Sequence, residues 1–115
     1  MKKVFNKIGG EYGESVVSLY LKNNKYKILN QNYKTKVGEV DIVAMQKNTI
    51  VFIEVKMRET CAFGRPSEAV NTFKQAKIRR VAEEYLVRNR LTDSQIRFDV
   101  LEVIGQDVNH IENAF

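Results

Sequence analysis

Three charged residues stand on short runs that are otherwise apolar, and their types can bind a metal and activate water. Asp41 lies between Val40 and Ile42, and Glu54 and Lys56 follow Ile50 and Phe52 at a spacing of two. On a strand, alternate side chains share a face, so Glu54 and Lys56 point the same way. Charges on so apolar a strand are costly to bury without partners. Lys47-Asn48 suits a two-residue turn, which would pair Gln46 with Thr49. Carried back, that register sets Asp41 opposite Glu54 and Glu39 opposite Lys56, with directly opposed Cβ atoms roughly 5 Å apart. A slip of one residue would break the arrangement. Two carboxylates this close repel each other and favour a cation between them. Magnesium or manganese would suit Asp41 and Glu54, because such ions take one or two carboxylates together with waters and phosphate oxygens. Lys56 would then orient an attacking water or offset charge on a phosphorane-like transition state. Spacing alone equally admits an ordinary cross-strand Glu–Lys pair on a surface hairpin.

Other residues converge on the same chemistry. Glu14 precedes Val17 and Leu21 by three and seven positions, so on a helix it falls in an apolar row. A carboxylate there calls for a partner, either the acid cluster or a lysine. The alternative is a first-turn acid favoured by the helix dipole. Farther along, Val70, Ile78, Val81 and Tyr85 form an apolar stripe that contains Lys74, with Lys77 at its edge. Both lysines either aim at a phosphate near the acids or lay long stems beside a core. Arg79 and Arg80 complete this basic cluster but point elsewhere, toward distant backbone phosphates or solvent.

The elements that must position these groups follow from periodicity. Residues 9–23 read as a helix, with Tyr12, Val16, Leu19 and Tyr20 at helical spacing. Strands are expected over Lys27–Tyr33, Gly38–Met45 and Thr49–Met57, where β-branched and aromatic residues gather. Gly64 and Pro66 punctuate a loop over 58–66, and Ser67 is placed to cap a helix from about Glu68 to Asn89. Ile96–Ile104 is a last strand, and the tail from Gly105 is expected to be loosely ordered. The order helix-strand-strand-strand-helix-strand predicts a mixed α/β fold, a central mixed sheet flanked by helices, as one domain over residues 1–115.

Composition narrows the function classes. The chain has 115 residues, 43% hydrophobic and 29% charged, and a net charge of +5. Residues 1–36 hold eight lysines against two glutamates, a clustering that suits a polyanion partner. No run is long and apolar enough for a membrane span, and no apolar segment follows the basic start, so a cytoplasmic location is expected. Cys61, the single cysteine, has no zinc-spaced neighbours and reads as an incidental loop residue. A Ser-His-Asp or Cys-His site would have to use the single histidine, His110, in the expected tail. There is no phosphate-binding Walker loop and no dinucleotide fingerprint. Asp99, between Phe98 and Val100, has no spacing that ties it to the acids upstream.

The runs Gly38-Glu39-Val40-Asp41-Ile42-Val43-Ala44 and Phe52-Ile53-Glu54-Val55-Lys56-Met57-Arg58 resemble the PD-(D/E)xK nuclease motif, with Val40 where its proline would stand. More narrowly, the chain resembles the YraN family, distant relatives of the archaeal Holliday junction resolvases. The likeness extends through Gly10-Glu11-Tyr12-Gly13-Glu14, Asn30-Gln31-Asn32-Tyr33, Phe63–Val70, Lys74, Lys77-Ile78, Tyr85-Leu86 and Arg97–Val100, and covers roughly residues 9–104. It implies a restriction-endonuclease-like core in which Glu14, Asp41, Glu54 and Lys56 form the catalytic set. The implied activity is a magnesium- or manganese-dependent endonuclease that hydrolyses phosphodiester bonds in DNA, branched DNA among its substrates. Symmetric cutting of two strands would call for a homodimer. A module that binds nucleic acid without cutting it, and an interaction protein on a borrowed nuclease fold, are the alternatives.

Overall fold

A computed structural model of the chain describes the backbone of residues 10–58 and 70–115, and the side chains of residues 16–57 and 70–115. The elements run α1 (Gly10–Asn23), β1 (Lys27–Lys34), β2 (Glu39–Gln46), β3 (Thr49–Arg58), α2 (Thr72–Arg88), β4 (Gln95–Ile104) and β5 (Asp107–Ile111). The strands form one sheet in the order β1-β2-β3-β4-β5. β1, β2 and β3 pair antiparallel, β3 and β4 pair parallel through the α2 crossover, and β5 returns antiparallel. This is the mixed α/β sheet expected of a restriction-endonuclease-like core, with one strand added at the β4 edge.

The middle of β3 is buried on both faces, which is why its sequence reads as a nearly unbroken apolar run. Val51, Ile53 and Val55 pack with Val17 and Leu21 of α1, together with Ile42, Leu101 and Val103. Ile50 and Phe52 pack on the other side with Ile78, Val81, Ala82 and Tyr85 of α2, together with Val43, Phe98 and Val100. Each helix thus covers one face of the sheet. No helix among the described residues is long and apolar enough to cross a membrane.

Two expectations are corrected. The second helix begins at Thr72, not near Glu68, because Asn71 is extended and its side-chain oxygen accepts the Lys74 N–H at 2.8 Å. Ser67, the expected cap, lies outside the described residues, as do Cys61, Gly64 and Pro66. Replacing Asn71 by alanine should cost about 1 kcal/mol. Urea unfolding checks this, and an unchanged midpoint would deny the cap its role.

The second correction concerns the tail. Residues 107–111 form β5, joined to β4 by the two-residue turn Gly105-Gln106, in which Gly105 takes φ 63° at no steric cost. Beyond it, the Ala114 N–H donates to the Phe98 carbonyl and Phe115 stacks on Phe98 at 5.2 Å. A strand edge and an aromatic anchor order a segment whose polar composition gives little sign of either.

Candidate active site

The turn Lys47-Asn48 closes the β2–β3 hairpin in the expected register, from Gln46↔Thr49 to Ile42↔Ile53. There the ladder ends. β2 continues along β1 through Tyr33↔Val40 and Lys34↔Glu39, while β3 continues along β4 as far as Arg58↔Ile104. The two strands therefore part beyond Ile42 and Ile53, and the next residues on either side are Asp41 and Glu54. In place of the expected ladder step between them, the Asp41 side chain reaches across. Its Oδ2 accepts the Val55 N–H at 2.7 Å. That bond fixes the carboxylate at the mouth of the divergence.

Asp41 and Glu54 are buried, at 1% and 3% exposure. Glu54 shares a face with Phe52, which packs beneath α2, and Asp41 shares one with Val43 in the same cluster. Buried carboxylates need counter-charge, and two lysines supply it. Lys74 Nζ lies 2.7 Å from Glu54 Oε2, and Lys56 Nζ lies 3.8 Å from the same oxygen. Burial alone would disfavour the Lys74 charge. The Glu54 carboxylate, with Asp41 adding to it, outweighs burial and raises the Lys74 pKa above the ordinary lysine value. Lys74 reaches this place because Asn71 starts α2 at Thr72, which sets Lys74 in the first turn above the end of β3. That first turn carries no acidic residue. No acidic side chain of that turn itself offsets the positive end of the helix dipole.

The structure brings Asp41, Glu54, Lys56 and Lys74 together. Glu14 is part of α1, but its side chain lies outside the described residues. Val17 and Leu21, the partners of its expected apolar row, are fully buried. The remaining basic residues divide. The Lys77 Cβ lies 3.9 Å from where a Cβ on Gly38 would sit, which places the Lys77 flank of α2 over the turn before β2. Its ammonium rests over the Phe73 ring at 4.7 Å. Arg80 borders a surface hollow with Val37, Glu83, Glu84 and Val87. Arg79 lies on the opposite flank, its guanidinium 4.7 Å from the centre of the Phe98 ring and 5.6 Å from that of Phe115. An arginine expected to face phosphates or solvent thus also braces the C-terminal aromatic pair.

One acid near the site escaped the sequence reading. Glu102 is buried at 3% exposure and pairs with Lys56 across the parallel β3–β4 ladder. Its alternation with Phe98 and Val100 was the available signal, since all three share one face of β4.

A second polar cluster lies on the α1 side of the sheet. Asp99, fully buried, receives Nε and a terminal nitrogen of Arg97 at 2.9 and 2.8 Å, and the Asn113 N–H at 3.1 Å. His110 Nε2 lies 2.7 Å from Asp99 Oδ2, and its Nδ1 lies 2.8 Å from the Tyr20 hydroxyl. Arg97 also donates to the Tyr26 hydroxyl. Burial alone would push the Asp99 pKa up. The hydrogen bonds from His110, Arg97 and Asn113, with the Arg97 charge, instead hold it below the usual aspartate value. His110 therefore ties α1, β4 and β5 together.

A carboxylate pair is the hard-oxygen donor set that magnesium or manganese takes from a protein. Among the described residues, no three His, Cys, Asp or Glu side chains make a complete metal cage. Asp41 and Glu54 nevertheless fit such an ion, because one of them already binds a cationic group, the Lys74 ammonium, at 2.7 Å. Water and phosphate oxygens would complete the shell.

Comparison with known proteins agrees with the sequence pattern. The model of the uncharacterised protein family UPF0102 matches residues 13–103. A UPF0102 protein of Alkaliphilus oremlandii is 52% identical over 116 residues, covering 96% of this chain and 99% of the relative. One from Caldanaerobacter subterraneus subsp. tengcongensis is 46% identical over 122 residues and covers all of both chains. One from Clostridioides difficile is 46% identical over 112 residues, 96% of this chain and 98% of its own.

Proposed function

Since the chain belongs to the uncharacterised protein family UPF0102, its activity has to be read from its own site, and we propose that it is a metal-dependent endonuclease hydrolysing phosphodiester bonds in DNA. The observation that carries this reading is the parting of β2 and β3. It leaves Asp41 and Glu54 buried side by side at the sheet's open end, with Lys56 and Lys74 converging on Glu54.

Each residue has a role that its position supports. Asp41 and Glu54 hold magnesium or manganese, Asp41 from a position fixed by the Val55 N–H. When bound, such an ion supplies Lewis-acid polarisation of a phosphate oxygen and makes water more acidic. Lys56 stands 3.8 Å from Glu54, where it orients the attacking water and offsets the negative charge that builds as water adds to phosphorus. Lys74 and the acid-free first turn of α2 receive the phosphate. Lys77 and Arg80 extend the positive flank of α2, and the lysine-rich first third of the chain adds sequence-independent attraction for the backbone. The +5 charge favours a nucleic acid over a neutral substrate.

The test is direct. End-labelled branched, duplex and single-stranded DNA is incubated with the chain and magnesium or manganese. Cleavage is expected, and it should stop on chelation and in Lys56→Ala. Salt-dependent binding without cleavage under any metal would favour the non-catalytic nucleic-acid module instead.

A further inference from the structure

The shortest ion pair among the described residues at the site joins a carboxylate proposed to bind metal to a lysine proposed to bind phosphate. Lys74 Nζ is 2.7 Å from Glu54 Oε2, whereas Lys56, the lysine of the Glu-x-Lys pair, is 3.8 Å from it. The two lysines are also differently free to move. Lys56 rises from the strand that carries Glu54. Lys74 comes down from the first turn of α2, with its side chain 37% exposed against 24% for Lys56 and 3% for Glu54. Lys74 can therefore withdraw toward solvent, and Glu54 cannot.

We propose that Lys74 is an internal stand-in for the metal: its ammonium holds Glu54 until a divalent cation takes the carboxylate, and the released lysine then engages the substrate phosphate. The inference rests on the metal-dependent reading of Asp41 and Glu54 and adds to it an exchange of cations. An ion approaching Glu54 meets an occupied carboxylate, and a doubly charged ion must displace a singly charged one already at hydrogen-bonding distance. Metal alone thus binds weakly. A phosphate brings a partner for the displaced ammonium, so metal and DNA each favour the binding of the other. The burial that makes removal of Lys74 costly also explains its pairing before any ligand arrives. A carboxylate at 3% exposure needs a counter-charge in the resting protein.

The test of the exchange reads metal and amine rather than turnover. Manganese alone is titrated calorimetrically into the full natural chain and into Lys74→Met. The variant is expected to bind about tenfold more tightly, equivalent to ~1.4 kcal/mol, because the competing ammonium is gone. The same variant should bind uncleavable DNA in the presence of manganese more weakly than the natural chain, an opposite sign that a merely structural lysine would not produce.

A second measurement needs no variant. Amine-reactive labelling of the natural chain is followed residue by residue with mass spectrometry. Manganese should raise the labelling of Lys74 severalfold and leave Lys77 unchanged. Manganese binding with equal affinity in Lys74→Met, and no rise in Lys74 labelling, would overturn the stand-in while leaving the metal-dependent reading in place. Absence of manganese binding in both chains, with and without uncleavable DNA, would overturn that reading and the stand-in with it.

Discussion

Asp41→Asn is expected to abolish metal-dependent DNA cleavage, with a loss on the order of 10³-fold or more, and to leave the fold intact. The substitution separates two functions of one side chain. Asp41 accepts the Val55 N–H where β2 and β3 part, and the carbonyl oxygen of an asparagine can accept it as well. What disappears is the charge of one of the two buried carboxylates proposed to hold the ion. Metal affinity and cleavage should therefore fall together, while the urea midpoint stays level or rises, since removing a buried charge relieves repulsion from Glu54. Lys56→Ala should split the two readouts. It should lose cleavage and keep manganese binding, because the role proposed for Lys56 is on water and phosphate and not on the ion. A folded Asp41→Asn chain that cuts DNA at the natural rate would sink the proposed function.

The carboxylate pair could be read from the sequence because its register hangs on a two-residue turn. Lys47-Asn48 fixes Gln46 against Thr49, and every step to Ile42↔Ile53 follows. The next step does not. Whether two strands stay paired depends on what each does with its other neighbour, and β2 follows β1 while β3 follows β4. Hydrophobic periodicity carries no record of that choice, so a directly opposed Asp41–Glu54 pair was expected where a side-chain bridge to Val55 is found. Lys74 was legible as an anomaly in an apolar stripe, and its partner emerges only when α2 is laid over the sheet.

Other features were lost to weak local signals. Asp107, Val108, Asn109, His110 and Ile111 alternate too gently to announce a strand. They are held by β4, by the pairing of Leu101 with His110, and by Phe115 on Phe98. Glu102 sits near the end of its strand, and its alternation with Val100 puts it on the buried face. Ser67 stands next to Pro66 and is the louder helix-start signal, whereas the cap observed is Asn71. For β5 the deciding contacts come from residues distant in sequence, whereas the Asn71 cap is local, made to the Lys74 N–H three residues on.

The largest stability effect should come from the opposite side of the sheet, away from the proposed chemistry. Asp99→Ala is expected to destabilise the chain by ~3–5 kcal/mol, a large share of what a domain of this size has. The carboxylate is fully buried and serves four groups at once: both Arg97 nitrogens, His110 and the Asn113 N–H. Its removal leaves the Arg97 guanidinium, 17% exposed, with the Tyr26 hydroxyl and the more distant Glu112 as its partners among the described residues. It also releases His110, the residue through which β5 meets Tyr20 of α1. The loss should therefore show as local opening of β5 in hydrogen exchange before global unfolding. The pH dependence has a definite sign. The Asp99 pKa is held down in the folded chain, so its contribution is fully present above the ordinary aspartate value near 3.9 and is lost as pH falls through the lower folded value. Asp99→Asn should accordingly flatten the acid limb of the stability curve below about pH 4, at the cost of lower stability at neutral pH. An Asp99→Ala chain within ~1 kcal/mol of the natural one in urea would mean that the tail is held by Phe115 and the β4 edge alone, with the buried network contributing little.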